Sequence, residues 1–453
     1  MRKIERRAAA CLLLALFLFA GLGVYCFRFA TQGSTWVTFT ANRHVYAQTG
    51  ELVTGRILDR DGDVLSTTED GKRVFHEDAT VRRATLHLVG DRAGNIGTAA
   101  LTAFSDLLTG YNPVTGSYTA SSTGRDLTLT VDAYLNVKAY QALDGQKGAV
   151  AVYNYKTGEI LCMVSTPTFD PDDPPVIEDG DESMEGAYLN RVLSSTFVPG
   201  SVFKTITLAA ALENLPDLSE RRWTCTGSHA VGGVTVTCPS AHGDLDINSA
   251  YAKSCNYVFA SLAAELGGNT MQKYTEQAGL TSSYSVDGIQ TAKGTFTLAG
   301  ADAGTVGWAG VGQADDLVNP CAMMVAMGAL ANGGKAAVPR LILDTPALPL
   351  TSDDPELTGA LFNPGTASVI ADMMHANVLE TYGADRFPGM DVCAKSGTAE
   401  VGGGGRPHAW FTGFLRDEAH PYAFVVMVQN GGGGSRVAGT IASEVLQAAV
   451  DKF

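Results

Sequence analysis

The first thirty residues constrain the fold of this chain more than any other stretch, because a basic flank precedes a long uncharged run. Arg2, Lys3, Arg6 and Arg7 come before an uncharged run of 20 residues, 8–27. A helix of that length rises about 30 Å, which is enough to cross a bilayer. The basic flank predicts that the N-terminus lies in the cytoplasm and the rest of the chain outside. We therefore expect residues 1–30 to be a cytoplasmic tail and an uncleaved, single-pass membrane anchor.

A cleaved signal peptide is the alternative interpretation of this run. The run is long for the apolar region of a signal peptide, and no Ala-x-Ala cleavage site ends it. A lipoprotein signal is disfavoured, because Val24 and Tyr25 precede Cys26 where small residues would be expected. The sequence favours the anchor and leaves cleavage open.

The remaining composition and patterning predict an α+β protein with two regions outside the membrane. The chain has 453 residues, 45% of them hydrophobic, which suffices for more than one core. The formal net charge of −15 disfavours nucleic acid as a partner. Residues 31–145 are polar and rich in turns, which predicts a small α+β domain. Residues 146–453 have strand patterns at both ends and helical patterns between them, which predicts an antiparallel sheet faced by helices.

The segment 198–207, VPGSVFKTIT, contains the first candidate site. Pro199 and Gly200 break any preceding helix, so Ser201 is expected at or near the start of the next one. Lys204 follows three residues later and would share a helix face with Ser201. A lysine desolvated among apolar neighbours has a lowered pKa and could accept the seryl proton. Taken alone, the pattern favours a helix cap followed by a solvated lysine.

Two further motifs make the catalytic interpretation of Ser201 and Lys204 more specific. Ser254 and Asn256 form a Ser-x-Asn triplet between helical stretches, offering a hydroxyl that can relay a proton and an amide that can hold a carbonyl. Lys395, in the segment Lys-Ser-Gly-Thr over 395–398, is predicted on an apolar strand and suits a substrate carboxylate. Each motif alone is also compatible with an ordinary loop, cap or strand end.

The eight cysteines leave one pairing open and predict no metal site. Cys225 and Cys238 flank a short glycine-containing loop and could form a disulfide outside the cell. Two free thiols are the alternative. No Cys-x-x-Cys pair and no Cys/His cluster with metal-ligand spacing stands out in the sequence.

In their order along the chain, the three motifs match the set found in penicillin-binding proteins and class A β-lactamases. The chain resembles a class B penicillin-binding protein, a monofunctional peptidoglycan D,D-transpeptidase of the SxxK acyltransferase superfamily. The likeness covers nearly the whole chain. Residues 55–66 are similar to the start of the family's pedestal domain, and 148–171 with 190–205 to the start of its transpeptidase domain. Residues 395–400 and 408–414 are similar to its final sheet.

The chain departs from the family pattern at several positions. Cys255 stands where the family's Ser-x-Asn motif usually has Asp, and Ser396 stands where the Lys-x-Gly motif usually has Thr. Thr54 replaces an Arg before the pedestal glycine, and Asn319 precedes Pro320 where a Thr is usual. These differences concern loop details and leave the catalytic set in place.

The resemblance implies a fold and an acyl-enzyme mechanism. The transpeptidase domain would contain a five-stranded antiparallel sheet faced by helices. Lys204 would deprotonate Ser201, which attacks the penultimate D-Ala carbonyl of a stem peptide ending in D-Ala-D-Ala. The backbone N–H groups of Ser201 and Thr398 would form the oxyanion hole. Ser254 would relay the proton to the leaving D-Ala, with Lys395 close by.

The resemblance also implies how substrates and partners bind. Asn256 would hold the stem peptide, Lys395, Ser396 and Thr398 would attract its terminal carboxylate, and Gly397 would let its backbone lie close to the strand. β-Lactams would acylate the same serine. No metal or organic cofactor is required. A SEDS-type membrane glycan polymerase is the implied partner, and a carboxypeptidase side activity is possible.

Three other functions are compatible with the same motifs. A β-lactamase shares the Ser-x-x-Lys and Lys-Ser/Thr-Gly elements but needs neither an anchor nor a domain of the size of 31–145. A β-lactam sensor should carry a cytoplasmic signalling domain. A non-catalytic scaffold of a wall-synthesis complex would not need the hydroxyl and amine groups that this chain keeps.

Overall fold

The computed structural model describes residues 2–38, 54–109, 124–178, 180–313, 316–345, 354–402 and 405–453. The segments 39–53 and 110–123 of the predicted small domain lie outside the described residues. Short 3₁₀ turns cover Glu182–Met184, Gly200–Phe203 and Ala384–Arg386, and a π-helical turn covers Val378–Gly383.

The helices of the described residues are, in chain order, α1 (Arg2–Thr38), α2 (Ala79–Val89), α3 (Ala100–Ala103), α4 (Ser105–Thr109), α5 (Ala133–Leu143), α6 (Arg191–Ser194), α7 (Lys204–Asn214), α8 (Ile247–Ala252), α9 (Asn256–Leu266), α10 (Gly268–Gln277), α11 (Ala303–Gly310), α12 (Pro320–Ala331), α13 (Pro364–Asn377) and α14 (Ala438–Lys452). The strands are β1 (Ile57–Leu58), β2 (Val64–Glu69), β3 (Lys72–Phe75), β4 (Leu127–Leu129), β5 (Gly148–Asn154), β6 (Ile160–Thr166), β7 (Trp223–Cys225), β8 (Ser228–Val231), β9 (Val234–Thr237), β10 (Gly243–Leu245), β11 (Ser285–Val286), β12 (Ile289–Gln290), β13 (Ile342–Asp344), β14 (Val392–Ala399), β15 (His408–Leu415) and β16 (Tyr422–Val428).

Helix α1 has the length and composition predicted for a membrane anchor. Its apolar stretch, Lys3–Phe29, has a mean hydropathy of 2.4 in its most apolar window, and none of that window is buried against the rest of the chain. Large apolar side chains such as Leu14 and Phe17 are exposed. A helix of this kind is long and apolar enough to cross a membrane, although a signal sequence would have the same properties.

The first sheet has the strand order β13-β4-β1-β2-β3. The Asp-Gly dipeptide at 61–62, between two strand-like segments, predicts the antiparallel hairpin that β1 and β2 form, and Gly62 has a φ of +93° in its turn. Strand β4 pairs parallel to β1. Strand β13 comes from the second half of the chain and pairs with β4, so this sheet is not confined to residues 31–145.

The second sheet is five-stranded and antiparallel throughout, in the order β14-β15-β16-β5-β6. It joins the two ends of the region 146–453, which confirms the prediction. Its strands are almost continuously apolar, because helices cover both faces. Along β16, Phe424 and Val426 pack into one core, whereas Val425 and Met427 pack into the other.

Helix α5 falls within the predicted small domain by its position in the sequence, but it packs against the five-stranded sheet. Its buried residues Leu135, Ala139 and Leu143 belong to the same core cluster as β5 and β16, together with residues of α14 such as Leu446. The helix therefore covers one face of the five-stranded sheet. The structural unit built on that sheet begins before the predicted boundary at residue 146.

Asn319 connects the central helix α12 to the segment that leads to the candidate nucleophile. Its side chain is fully buried, and its Nδ2 donates to the carbonyl oxygens of Val192, Leu193 and Ser195 at 3.1, 3.1 and 2.8 Å. Its Oδ1 accepts from the N–H of Ala322 and thereby caps α12. One side chain thus pairs groups at the C-terminus of α6 and at the N-terminus of α12, and of its three carbonyl partners that of Leu193 also accepts from the N–H of Ala292 at 2.8 Å.

We expect Asn319→Ala to lower the free energy of unfolding by about 2–3 kcal/mol, because it leaves buried carbonyls without donors. Asn363→Ala is a matched control, since Asn363 also precedes a proline at a helix start but is exposed and caps nothing with its side chain. It should change the free energy by less than about 0.5 kcal/mol. Urea unfolding of the detergent-solubilised full chain measures both, and equal effects would contradict the role of Asn319.

Candidate active site

Ser201 lies in the turn that starts the helix, as predicted. The 3₁₀ turn Gly200–Phe203 continues directly into α7 at Lys204. Gly200 has a φ of +57°, and a Cβ there would lie 2.8 Å from the carbonyl oxygen of Thr398 on β14. Glycine is therefore required for this turn to sit against the strand. The arrangement places Ser201 at the N-terminal end of α7, beside β14.

Lys204 is completely buried beneath Ser201 and makes four polar contacts. Its Nζ lies 3.0 Å from Ser201 Oγ and 2.6 Å from Asn256 Oδ1. It also lies 2.7 Å from the carbonyl oxygen of Ser254 and 3.1 Å from Ser254 Oγ. Burial, and secondly the charge of Lys395, hold the pKa of Lys204 well below its usual range. A neutral amine within hydrogen-bond distance of Ser201 Oγ can accept its proton.

The loop 253–255 ends α8 in a way that aims Ser254 at Lys204. The N–H of Cys255 donates to the carbonyl of Ala250, and the N–H of Ser254 donates to that of Tyr251, which is the Schellman pattern. Ser254 takes the left-handed position of this motif, with a φ of +52°. A non-glycine residue held there is strained, which is frequent at functional sites. Helix α9 then begins at Asn256.

Lys395 approaches Ser254 from the opposite side. It is fully buried on β14, and its Nζ donates to Ser254 Oγ at 3.1 Å and to the carbonyl of Ser396 at 3.0 Å. Burial lowers the pKa of Lys395 to about 7. The Ser254 hydroxyl therefore lies between the amines of Lys204 and Lys395, which would repel each other if both were protonated. Because the pKa of Lys204 is lowered by both burial and the charge of Lys395, Lys204 gives up its proton far more readily than a lysine in water.

A cavity of about 440 Å³ opens above these groups. It is lined by Ser201, Thr237, Pro239, Lys253, Ser254, Asn256, Trp308, Val311, Gln313, Ser396, Thr398 and Glu400. Lys204 and Lys395 lie beneath this lining. The cavity thus presents the seryl hydroxyls to a ligand and keeps both amines out of water.

Strand β14 lies at one edge of the five-stranded sheet. Its outer side has no neighbouring strand in the described part of the chain, and side chains contact part of its backbone there. The N–H of Ser396 donates to the Tyr382 hydroxyl at 2.8 Å, and Asn377 Nδ2 donates to the carbonyl of Ala394 at 3.0 Å. Because backbone groups alternate along a strand, the N–H of Thr398 points to the same side as that of Ser396. The edge therefore offers a backbone donor beside Ser201.

Gly397 has a packing role that the sequence did not indicate. A Cβ at Gly397 would lie 2.9 Å from the carbonyl oxygen of Pro199 and 3.0 Å from Val202 Cγ1. The missing side chain makes room for the turn that carries Ser201. Gly397 is not among the residues that line the cavity, so its place in the site comes through this packing.

The sequence reasoning missed several residues that shape the site. The Tyr382 hydroxyl accepts from the backbone N–H of Ser396 at 2.8 Å and donates to Ser396 Oγ at 2.9 Å. Asn377 Nδ2 donates to the same Tyr382 hydroxyl at 2.9 Å. Thr237 accepts from Asn256 Nδ2 at 2.8 Å through its carbonyl. None of these residues belongs to a motif or a periodic pattern, so no local signal indicates them.

The cysteine pair left open by the sequence lies beside the Ser254 loop. The structure holds Cys225 and Cys238 as free thiols with their sulfurs 3.8 Å apart, beyond the roughly 2.05 Å of a disulfide. Cys255 Sγ lies 3.8 Å from Cys238 Sγ, and His242 Nδ1 lies 3.6 Å from Cys225 Sγ. The one weak sequence signal for this group is Cys238 and His242 with three residues between them.

Comparison with known proteins agrees with this geometry. The sequence pattern of the family described as "Penicillin binding protein transpeptidase domain" matches residues 148–447. A relative named "Peptidoglycan D,D-transpeptidase PbpA" from Mycolicibacterium smegmatis is 28% identical over 410 residues, which cover 83% of this chain and 77% of the relative.

Two solved structures share the fold over most of the chain. One is penicillin-binding protein A from M. tuberculosis as a ceftriaxone acyl-enzyme, with a TM-score of 0.74, 25% identity and coverage of 88% of this chain and 98% of that one. The other is the D,D-transpeptidase domain of a peptidoglycan glycosyltransferase from Eggerthella lenta, with the same TM-score, identity and coverage.

We expect the free energy of unfolding to rise with pH above about 7, because Lys395 binds its proton less tightly in the folded chain than in the unfolded chain. The contribution is at most about 1.4 kcal/mol per pH unit and ends near the pKa of an unfolded lysine. Lys395→Met should remove it. Urea unfolding at several pH values between 7 and 10 measures the difference between the two chains.

Lys335→Met is the control for that comparison, because Lys335 is exposed on the surface. It should keep the pH dependence of the unaltered chain. Parallel stability curves for Lys395→Met and the unaltered chain would contradict the burial of a titrating amine at this position.

Proposed function

Since the chain belongs to the penicillin-binding protein transpeptidase family, we propose that it is a peptidoglycan D,D-transpeptidase that cross-links stem peptides through a seryl acyl-enzyme and is inhibited by β-lactams. The observation that carries this proposal is the convergence of Ser201, Lys204, Ser254 and Lys395 beneath one cavity. Chains that had lost catalysis would have no reason to keep two buried amines around two hydroxyls, since burying them costs stability.

In the first step Ser201 attacks the carbonyl carbon of the penultimate D-Ala. Lys204 accepts the seryl proton through the 3.0 Å contact, and a C–O bond forms to give a tetrahedral oxyanion. The N–H groups of Ser201 and Thr398 stabilise this oxyanion. Each donor of such a pair typically contributes about 3 kcal/mol to the transition state. The positive end of α7 adds to the same effect.

In the second step the C–N bond to the terminal D-Ala breaks. The proton held by Lys204 passes to the leaving amine through the Ser254 hydroxyl, which contacts both Lys204 and Lys395 at 3.1 Å. The amine of a neighbouring stem peptide then attacks the seryl ester, gives its proton back along the same route and restores Ser201. If water replaces that amine, the product is a shortened stem peptide, which is the carboxypeptidase side reaction.

The substrate backbone lies along the outer edge of β14 at Thr398, beyond the backbone groups that Asn377 and Tyr382 already contact. Edge strands bind extended peptides through main-chain hydrogen bonds, which supports this pose. Asn256 holds the donor peptide through its side-chain amide. Lys395, with the hydroxyls of Ser396 and Thr398, attracts the terminal carboxylate, and the presence of that carboxylate keeps Lys395 protonated.

Helix α1 anchors the catalytic domain at the cell membrane. The basic residues before its apolar run support a cytoplasmic N-terminus, which places the rest of the chain on the extracellular or periplasmic side. A membrane glycan polymerase of the SEDS type is the proposed partner, reached through α1 and the first sheet. Peptidoglycan at the outer membrane surface is the substrate that this location supplies.

Fluorescent penicillin should label the full chain, and Ser201→Ala should abolish the labelling, because Ser201 Oγ lines the cavity at the N-terminal end of α7 with Lys204 Nζ 3.0 Å away as its base. Ser261→Ala is the control, since that serine lies on α9 and donates to the carbonyl of Tyr257 outside the cavity. Gel fluorescence measures both. Equal labelling of Ser201→Ala and the unaltered chain would refute the assignment, and rapid nitrocefin turnover would favour a β-lactamase.

The rate constant for acylation by penicillin should rise with pH and level off well below the usual pKa of lysine. Below its pKa, Lys204 is protonated and cannot accept the seryl proton, so the rate should fall about tenfold per pH unit there. Lys204→Arg should be inactive at every pH between 5 and 9, because the guanidinium stays charged. Lys335→Arg on the surface should keep the original profile. A profile without pH dependence would exclude Lys204 as the base.

A further inference from the structure

Three cysteines and one histidine meet beside the Ser254 loop, and the mechanism above uses none of their side chains. Their ligand atoms all lie within 4.8 Å of one another. We call them the Cys3His group; its members are Cys225, Cys238, His242 and Cys255. We propose that the Cys3His group binds one zinc ion in a closed structural site that fixes the position of the Ser254–Asn256 loop.

Three distances between ligand atoms of the group match tetrahedral zinc, and the other pairs lie within 4.8 Å. Zinc bonds of about 2.3 Å to sulfur and 2.0–2.1 Å to nitrogen place two thiolates about 3.8 Å apart and a thiolate and an imidazole nitrogen about 3.6 Å apart. Cys238 Sγ is 3.8 Å from both Cys225 Sγ and Cys255 Sγ. His242 Nδ1 is 3.6 Å from Cys225 Sγ. The chain from His242 through Cys225 and Cys238 to Cys255 is therefore spaced as neighbouring zinc ligands are, and neither cysteine pair is spaced as a disulfide.

The donor set selects the metal and the type of site. Three thiolates and one imidazole are soft ligands that favour zinc over magnesium or calcium. Four protein ligands fill a tetrahedral shell, which is typical of structural zinc and leaves no position for a reacting water. Binding forms three Zn–S bonds and one Zn–N bond and releases the three thiol protons to solvent. No oxidant or reductant is needed.

The ligands come from four points of a small region that has little core of its own. Cys225 ends β7, Cys238 follows β9, His242 precedes β10, and Cys255 is the residue before α9. In the hairpin of β8 and β9 the buried residues are Val231 and Val236. A region with so few buried side chains gains much from a metal, because a metal replaces the missing hydrophobic stabilisation.

The site is coupled to catalysis through neighbouring residues. Cys255 lies between Ser254 and Asn256, and Cys238 follows Thr237, whose carbonyl accepts from Asn256 Nδ2 at 2.8 Å. A metal bound to both cysteines would hold the two ends of that hydrogen bond together. Asn256 Oδ1 in turn accepts from Lys204 Nζ at 2.6 Å. The zinc ion thus acts as a positioning element one residue away from the catalytic groups.

Metal analysis of the full chain, purified in detergent without chelators, tests the proposal. We expect about one zinc per chain by mass spectrometry of the metal content. Cys238→Ser should retain far less, and Cys321→Ser should retain as much as the unaltered chain, because Cys321 is a buried free thiol outside the group. If Cys238→Ser fails to fold, removal of zinc from the unaltered chain with a chelator tests the site instead. Chelation should expose three additional reactive thiols and lower the unfolding temperature.

Zinc readdition separates this proposal from the transpeptidase assignment. Chelation should slow acylation by penicillin by about ten- to a hundredfold, since a misplacement of catalytic groups by about 1 Å can cost a hundredfold, and zinc but not magnesium should restore the rate. A chain that stays free of metal after exposure to zinc ions, whether its thiols are free or Cys225 and Cys238 are oxidised to a disulfide, overturns the zinc site. Zinc bound without any penicillin labelling overturns the proposed function alone.

Discussion

The rest of this site depends on burying the amine of Lys204. An ammonium removed from water is costly, and that cost holds the pKa of Lys204 well below its usual range and favours the neutral amine. The protein compensates with four polar contacts to three residues, Ser201, Ser254 and Asn256. Those residues come from the start of α7 and from the α8–α9 junction. Holding one neutral lysine therefore requires two distant segments to meet with an accuracy of a few tenths of an ångström.

The five-stranded sheet supplies the surface on which these segments meet. Its edge strand β14 contributes Lys395, and the turn that carries Ser201 rests directly on that strand. Gly200 and Gly397 make this contact possible, because a Cβ at either position would collide with backbone atoms of the other segment. The second amine then reaches the Ser254 hydroxyl from the strand side. The sheet and the helices thus bring the Ser201 hydroxyl, the Ser254 hydroxyl and the Lys395 amine together at one cavity.

The Ser254–Asn256 loop is held from two sides. On one side it contacts the amines of Lys204 and Lys395, and on the other it contributes Cys255 to the Cys3His group. Ser254 occupies a left-handed backbone position that a serine adopts only under constraint. A zinc ion on the far side of the loop would supply such a constraint without entering the reaction. Cys255, which stands where the family usually has Asp, would then serve to hold the loop in place as a zinc ligand.

The sequence by itself determined the features that depend on local patterns: the apolar helix α1, the hairpin of β1 and β2, the strand segments at both ends of the second region, and the pairing of Ser201 with Lys204 across one helical turn. Local patterns suffice there because the periodicity of a helix or strand fixes which neighbours share a face. The tertiary structure alone decided that β13 joins the first sheet, that α5 covers the second sheet, that Tyr382 contacts Ser396, and that Cys225, Cys238, His242 and Cys255 meet. These contacts join residues far apart in the chain, and their formation depends on how the packed elements are oriented, which no local pattern of residues encodes.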